Sequence, residues 1–258
     1  MNKLKVGITF IGYECMELMP RALAPWINIR KNRGIDEIDS LTISLSHGCF
    51  EETAKLGFPI SSTDLSDDWM SAQYLNRQVD NAIIYDKPMK EYDMWTGNYN
   101  SFKDSVDFMV MLNHDEIWTN EEIQSLFRYI AWNPFVDYYK INFKNYCINE
   151  NTWVSDFIVP RMWWTKNNGG LKRFYKDELV EYNNGKKDTE CSFAIVPTIF
   201  PKHLSWVGTR EYLQRKLAFQ SLRFGSCSYA WDNERDCLKL NDDFYLKFRI
   251  PKPILNHE

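Results

Sequence analysis

The sequence predicts an α/β fold, a mixed, mainly parallel sheet flanked by helices and continued into a smaller β-rich half. Two observations predict it. Through the first 130 residues, apolar runs of strand length alternate with helical patterns. That alternation gives parallel strands with helices on the sheet faces. Beyond residue 135 the chain turns aromatic and β-branched, with NNGG and NNGK between the runs, which reads as antiparallel or mixed strands joined by turns.

The elements follow in order. KLKVGITFI, residues 3 to 11, is a first strand ending at the turn residue Gly12. ELMPRALAPWINIR is a helix with prolines near its start, and SLTISLS, 40 to 46, is a second strand. SDDWMSAQYL reads as a helix behind a Ser cap, and AIIYDK, 82 to 87, as a third strand. Five apolar residues, Phe108 to Leu112, then run straight into Asn113, His114, Asp115 and Glu116. Thr119 and Glu122 form a capping box, and Ile123, Leu126, Phe127 and Ile130 make one apolar helical stripe behind it. FVDYYKINFKNY, TWVSDFIVPRMWW, LKRFY and CSFAIVPTIF supply the later strands, and a last helix spans 209 to 223 behind Thr209. There is no repeat or linker, so the expectation is one domain over 1–258, divided into 1–132, 133–225 and a C-terminal extension, 226–258.

Composition narrows the class. With 258 residues, 44% hydrophobic and 26% charged, the chain can bury a sizeable core. A net charge of −4 lacks the basic excess of a nucleic-acid binder. No run of 18 apolar residues occurs, and the apolar N-terminal stretch has no small-residue cleavage site, so a cytoplasmic protein is expected. The six cysteines show no CxxC or zinc spacing and read as reduced thiols. The ten Trp suit sugar or base stacking as well as core packing.

The acidic strand end is the informative feature. In open α/β sheets, ligands bind beyond the carboxyl ends of the strands. Carboxylates there are hard ligands for Mg²⁺ or Mn²⁺, which share their coordination with substrate phosphates. The bland alternative is a solvated turn whose acids favour the positive end of the next helix.

DFMVMLNHDEIWTNEEIQSL resembles the strand, Asp-x-Asp-Glu and helix segment of GT-A glycosyltransferases, particularly the family 2 type. KVGITFIGYECMELMPRAL is similar to that family's first strand and helix, and ISLSHGCFEET to its second strand and turn. Asn98, in TGNYNSF, falls where the family has Arg-Asn opening the helix before the acidic strand. KHLSWVGTREYLQRK resembles the His-x-Ser-aromatic stretch ahead of the last helix, so the resemblance covers about residues 3 to 225.

The resemblance implies a GT-A (Rossmann-like) fold and a metal-dependent, hexosyltransferase-type enzyme that moves a sugar from a nucleotide-diphosphate donor, a UDP-sugar favoured, to an acceptor hydroxyl. It implies Asp115 and His203 as ligands of Mn²⁺ or Mg²⁺, with Glu116 as helper. Ile11, Gly12, Tyr13, Ser46, Asn98, Asn113, His114, Asp115 and Lys216 become nucleotide-sugar candidates, although His114 faces away from Asn113 and Asp115 in an extended chain. Arg161, Arg173 and Lys216 are diphosphate candidates, Trp163, Trp164 and Trp206 an acceptor floor, and Asp156, Asp188 or Glu190 a general base. For each, a structural role (core aromatic, surface cation or turn polar group) is the alternative. The chain departs from the pattern at Asn113, Ser46 and Gly97, where the family carries charge. Those losses keep a second reading open, a non-catalytic nucleotide- or carbohydrate-binding module on a degenerate scaffold. A nucleotidyltransferase is disfavoured because GYECMELMP is no Gly-rich phosphate loop. Glycan or lipid-linked acceptors come first. A hydroxymethylated DNA base is the further option, through the basic residues Lys202, Arg210, Arg215, Lys216 and Arg223.

Overall fold

The computed structural model describes residues 3–32, 34–147, 151–175, 179–248, 253 and 255–257, with the side chains of all but 155, 156, 248 and 257. The chain runs β1 (Leu4–Gly12), α1 (Met19–Asn32), β2 (Ile38–His47), α2 (Glu51–Lys55), α3 (Ser66–Leu75), β3 (Asn81–Ile84), α4 (Glu91–Asn100) and β4 (Phe108–Asn113). It continues with β5 (Glu116–Ile117), α5 (Asn120–Trp132), β6 (Tyr138–Cys147), β7 (Thr152–Trp164), β8 (Leu171–Tyr175), β9 (Leu179–Tyr182) and β10 (Phe193–Ile195). Last come β11 (Lys202–Trp206), α6 (Arg210–Phe224), β12 (Tyr229–Asp232), β13 (Cys237–Leu240), α7 (Asp242–Phe248) and β14 (Asn256–His257).

Among the described residues, a ten-stranded sheet has the order β3-β2-β1-β4-β7-β6-β11-β5, with β10 on β6 and β14 on β7. β3, β2, β1 and β4 are mutually parallel. β7 runs antiparallel to β4 and β6, which joins the β-rich half to the parallel one. β8–β9 and β12–β13 form separate hairpins. This arrangement fits the GT-A-like α/β architecture that the sequence resemblance implies.

The uninterrupted apolar run in β4 follows from its place in the sheet. Phe108, Val110 and Leu112 enter the core beneath α1 and α5, while Met109 and Met111 enter the core beneath α4 and β8–β9. Successive side chains point to opposite faces, so a strand covered on both faces must be apolar at every position. The Thr119 capping box is formed, with both backbone N–H bonds present, and the stripe behind it, Ile123, Leu126, Phe127 and Ile130, is fully buried. α6 starts behind Thr209, whose hydroxyl accepts the Tyr212 N–H.

Three expectations need correction. Ser66 does not cap α3; its hydroxyl accepts the Cys15 N–H and donates to Asp64, pinning the helix start to the tip of β1. Asn98 does not open a helix but lies near the end of α4. α2 and β5 were not predicted, because five-residue and two-residue elements carry no readable period.

Candidate active-site cleft

The parallel strands end level with one another, since Ile11 is in register with both Ser46 and Asn113. Beyond these ends lies a cavity of about 450 Å³. Its floor includes Ile11, Asn113, His114 and Asp115, one wall is Phe157, Val159 and Arg161 of β7, and its roof is α6.

Asp115 reaches this cavity because β4 stops at Asn113 and residues 114–115 form a turn. β5 then pairs antiparallel with β11, setting Glu116 opposite His203, and the Leu204 N–H donates to the Asp115 carbonyl at 2.7 Å. His203 Nε2 thereby comes within 3.6 Å of Asp115 Oδ1, with both side chains almost fully buried. From α6, Lys216 Nζ lies 3.3 Å from Asp115 Oδ2 and also meets Ser205 Oγ and Tyr212 Oη.

The charge states follow from the surroundings. Burial pushes the His203 imidazole down to about 3, so the ring is neutral near pH 7. Asn145 Oδ1 lies 2.8 Å from His203 Nδ1 and, accepting its proton, leaves the Nε2 lone pair toward Asp115. Burial opposes ionisation of Asp115, but positive charge outweighs it, from His203 while that ring is still protonated in acid and from Lys216 throughout, and holds the carboxyl below the usual range. Burial also opposes the Lys216 charge, and Tyr212 and Asp115 reverse that and raise it. A carboxylate oxygen and an unprotonated ring nitrogen thus stand 3.6 Å apart, two lone-pair donors that a cation can bridge. They fit a divalent ion with few protein ligands; no cluster of three or more His, Cys, Asp or Glu ligands occurs among the described residues.

Placement of the other candidates is mixed. Ile11, Tyr13, Asn113, His114 and Lys216 line the cleft. The turn at 114–115 brings His114 to the same side as its neighbours, which an extended chain would not. Tyr13 donates its hydroxyl to the Pro59 carbonyl and leans on His47 with centroids 5.7 Å apart. Gly12 and Ser46 do not line the cleft. A Cβ at Gly12 would sit 2.6 Å from Cys15 Sγ, so this glycine serves close packing of β1 on the following turn. Ser46 is fully buried and accepts from Asn98 Nδ2, which also donates to the Phe10 carbonyl. Ser44 Oγ in turn donates to Asn98 Oδ1 at 3.0 Å, so Asn98 ties α4 to β1 and β2. Any side chain at Gly97 would meet the Tyr85 hydroxyl, 2.4 Å from its Cβ position.

Glu116 is committed to Arg161, with Oε1 2.7 Å from Nε and 2.6 Å from Nη2, and accepts from Asn113 Nδ2 at 3.2 Å. Arg161 therefore lines the cleft as half of a buried ion pair. Arg173 is outside it, paired with Glu181. The three tryptophans are core residues: Trp163 packs on Phe174, Trp164 on Phe108, and Trp206 on Tyr229. None lines the cleft. Asp188 is buried at the opposite end of β6 from Asn145, beside Val180 and Tyr138, and Glu190 accepts the Lys187 N–H on the surface. Neither reaches the cleft, and the side chain of Asp156 lies outside the described residues.

Sequence reasoning missed Glu14, Asn145, Ser205 and Phe58. Glu14 follows directly on Tyr13 at a strand tip, a signal that was available. Asn145 had none, since only the β6–β11 register brings it to His203.

No family model and no curated protein matches the sequence. Among solved structures, the chain is similar to S. aureus TarS 1-349, at 10% identity over 86% of this chain and 72% of that one, TM-score 0.49. It is also similar to TarS 1-349 in complex with UDP-GlcNAc, at 10% identity over 84% and 67%, TM-score 0.44. A third is the mannosyltransferase PcManGT from Pyrobaculum calidifontis in complex with GDP-Man and Mn²⁺, at 9% identity over 87% and 64%, TM-score 0.49. The match to TarS 1-349 in complex with UDP covers 40% of that chain. No helix of the described residues is long and apolar enough to cross a membrane.

Proposed function

We propose that the protein is a glycosyltransferase that binds a nucleotide-diphosphate sugar in this cleft and transfers the sugar to an acceptor hydroxyl. The observation that carries the reading is the buried pair Asp115 and His203, with the half-buried Lys216 beside it, at the carboxyl ends of the parallel strands. Asp115 and His203 would hold Mn²⁺ or Mg²⁺. When bound, such an ion supplies positive charge that stabilises a departing diphosphate. Lys216 brings a second positive charge to the same point, fixed by Asp115, Ser205 and Tyr212, and a preoriented cation is well suited to a phosphate. Asn113 Nδ2, held by Glu116, orients the amide toward the donor. The acceptor would enter along Phe157 and Val159, with a glycan or lipid-linked hydroxyl ahead of a modified DNA base.

The test combines thermal shift with transfer. UDP, GDP, CDP and TDP are each added with and without Mn²⁺ to the wild type and to Asp115→Ala. A nucleotide shift that grows with Mn²⁺ in the wild type and loses that growth in the variant is expected, together with loss of transfer in the variant or in excess EDTA. Full activity under either condition would overturn the metal part of the mechanism.

One observation favours a second reading, a nucleotide-binding module without turnover. Neither Asp188 nor Glu190 reaches the cleft, which leaves both unsuited to act as base. Slow release of free sugar from a bound donor would exclude that reading.

A further inference from the structure

The Asp115 side of the cleft, under Lys216, is suited to phosphates; at the tip of β1, under the preceding residue of α6, Arg215, the cleft carries different chemistry. There Glu14 lies almost fully buried, on a left-handed backbone with φ of 51° that non-glycine residues seldom adopt. Its carboxylate is fixed from both sides. The Thr63 N–H donates to Oε1 at 2.6 Å, and the Thr63 hydroxyl lies within reach of both oxygens. Arg215 Nη1 of α6 approaches Oε2 at 3.3 Å, with the guanidinium 5.9 Å from the Phe58 ring. Tyr13, Glu14, Phe58 and Arg215 all line the cavity.

This side presents two aromatic rings for a planar group, and beside them one strong acceptor next to one strong donor. The complement of that pair is a ring N–H adjacent to a carbonyl. Uracil and thymine offer it at N3 and its flanking carbonyls, and guanine at N1 and O6. Cytosine and adenine present a bare ring nitrogen there, whose lone pair would face the carboxylate. Truncated or mismatched partners at buried polar groups are penalised more than matched ones are rewarded, so the pair discriminates chiefly by rejection.

We infer that Glu14 and Arg215 read the base of the donor nucleotide and select a lactam base, uracil, thymine or guanine, over cytosine and adenine. The inference rests on the donor reading above and names the part of the donor that the Asp115 side does not touch. Glu14 is the acceptor for the ring N–H, the Thr63 backbone N–H, which a valine there retains, holds its orientation, and Arg215 donates to the neighbouring carbonyl.

Calorimetric titration with UDP, GDP, CDP and ADP in the presence of Mn²⁺ tests it, on the wild type, Glu14→Gln and Thr63→Val. For the wild type, UDP or GDP is expected to bind about tenfold or more tightly than CDP and ADP, the scale of one charge-assisted hydrogen bond. Glu14→Gln, whose amide also donates, should close most of that gap. Thr63→Val cuts one tether of the loop but keeps the carboxylate, and should preserve the ranking. Equal binding of all four by the wild type, an unchanged ranking in Glu14→Gln, or the same collapse in Thr63→Val would overturn base reading while leaving the donor site intact. Failure of all four to bind the wild type would overturn the donor reading and this inference with it.

Discussion

Arg161 and Glu116 face each other at 2.6 Å with almost no solvent contact. Removing one member of such a pair strands the other charge in a low-dielectric interior. Glu116→Ala is therefore expected to cost about 3–5 kcal/mol in urea unfolding. Loss of activity in that variant then tracks loss of fold, whereas Asp115→Ala, which leaves Lys216 with Ser205 and Tyr212 as partners, should lose less stability than Glu116→Ala. Asp188 behaves differently. Burial pushes its carboxyl up from 3.8 to about 6, despite the Val180 N–H bond, so the folded state holds a proton that the unfolded chain releases. The associated stability is complete below about pH 4 and is lost as pH rises through 6. Asp188→Asn keeps an acceptor for Val180 without the charge. Its stability relative to wild type should rise by about 3 kcal/mol between pH 4 and pH 8, as chemical denaturation at each pH would report. A flat difference across that range would refute the assignment. In the sequence Asp188 is a candidate base because it lies after the α5 helix, in the region from which the family that the chain resembles supplies one, and the burial by distant strands that removes it from the cleft is a tertiary fact.

Legibility in the sequence followed element length and locality. Thr119 with Glu122, and the stripe from Ile123 to Ile130, are short-range patterns, and both appear in α5 as read. Thr119→Ala should lower stability by about 1 kcal/mol, the usual worth of such a cap, with little change in ligand binding. The strands β1, β2 and β4 were visible for the same reason. Asp115 and His203 were legible as a pair through family resemblance alone, since β5 is two residues long and its pairing with β11 leaves no periodic trace. The tryptophans failed in the opposite way. Their composition suggested stacking surfaces, yet β7 is covered on both faces where Trp163 and Trp164 stand, so the sheet buries them. Asn98 was found by position and misread by role, because a side-chain amide that satisfies β1 and β2 looks in sequence like one that serves a ligand.

At the scale of the molecule, the cleft is roofed by a helix with weak apolar anchoring. Leu213 is the one buried residue of α6, and Gly208 and Gly225, both with positive φ, stand at its two ends. Ion pairs to Glu14, Asp115 and Glu91 hold it against the first half of the chain. Segments fixed by few buried apolar contacts open at lower free energy than core strands. Amide hydrogens of α6 are thus expected to exchange faster than those of β1 and β4 by mass spectrometry, and to slow when nucleotide and Mn²⁺ are added. Equal protection of α6 and β4 in the free protein would contradict this. The roof also fixes an order of events during synthesis. Everything needed to build β1 through β4 emerges from the ribosome long before Arg215 and Lys216 do, so a growing chain has a floor without a ceiling. On the proposed reading, nucleotide gains its contacts to Arg215 and Lys216 only once that helix has been made, so by mass action it would stabilise the finished fold more than its first portion.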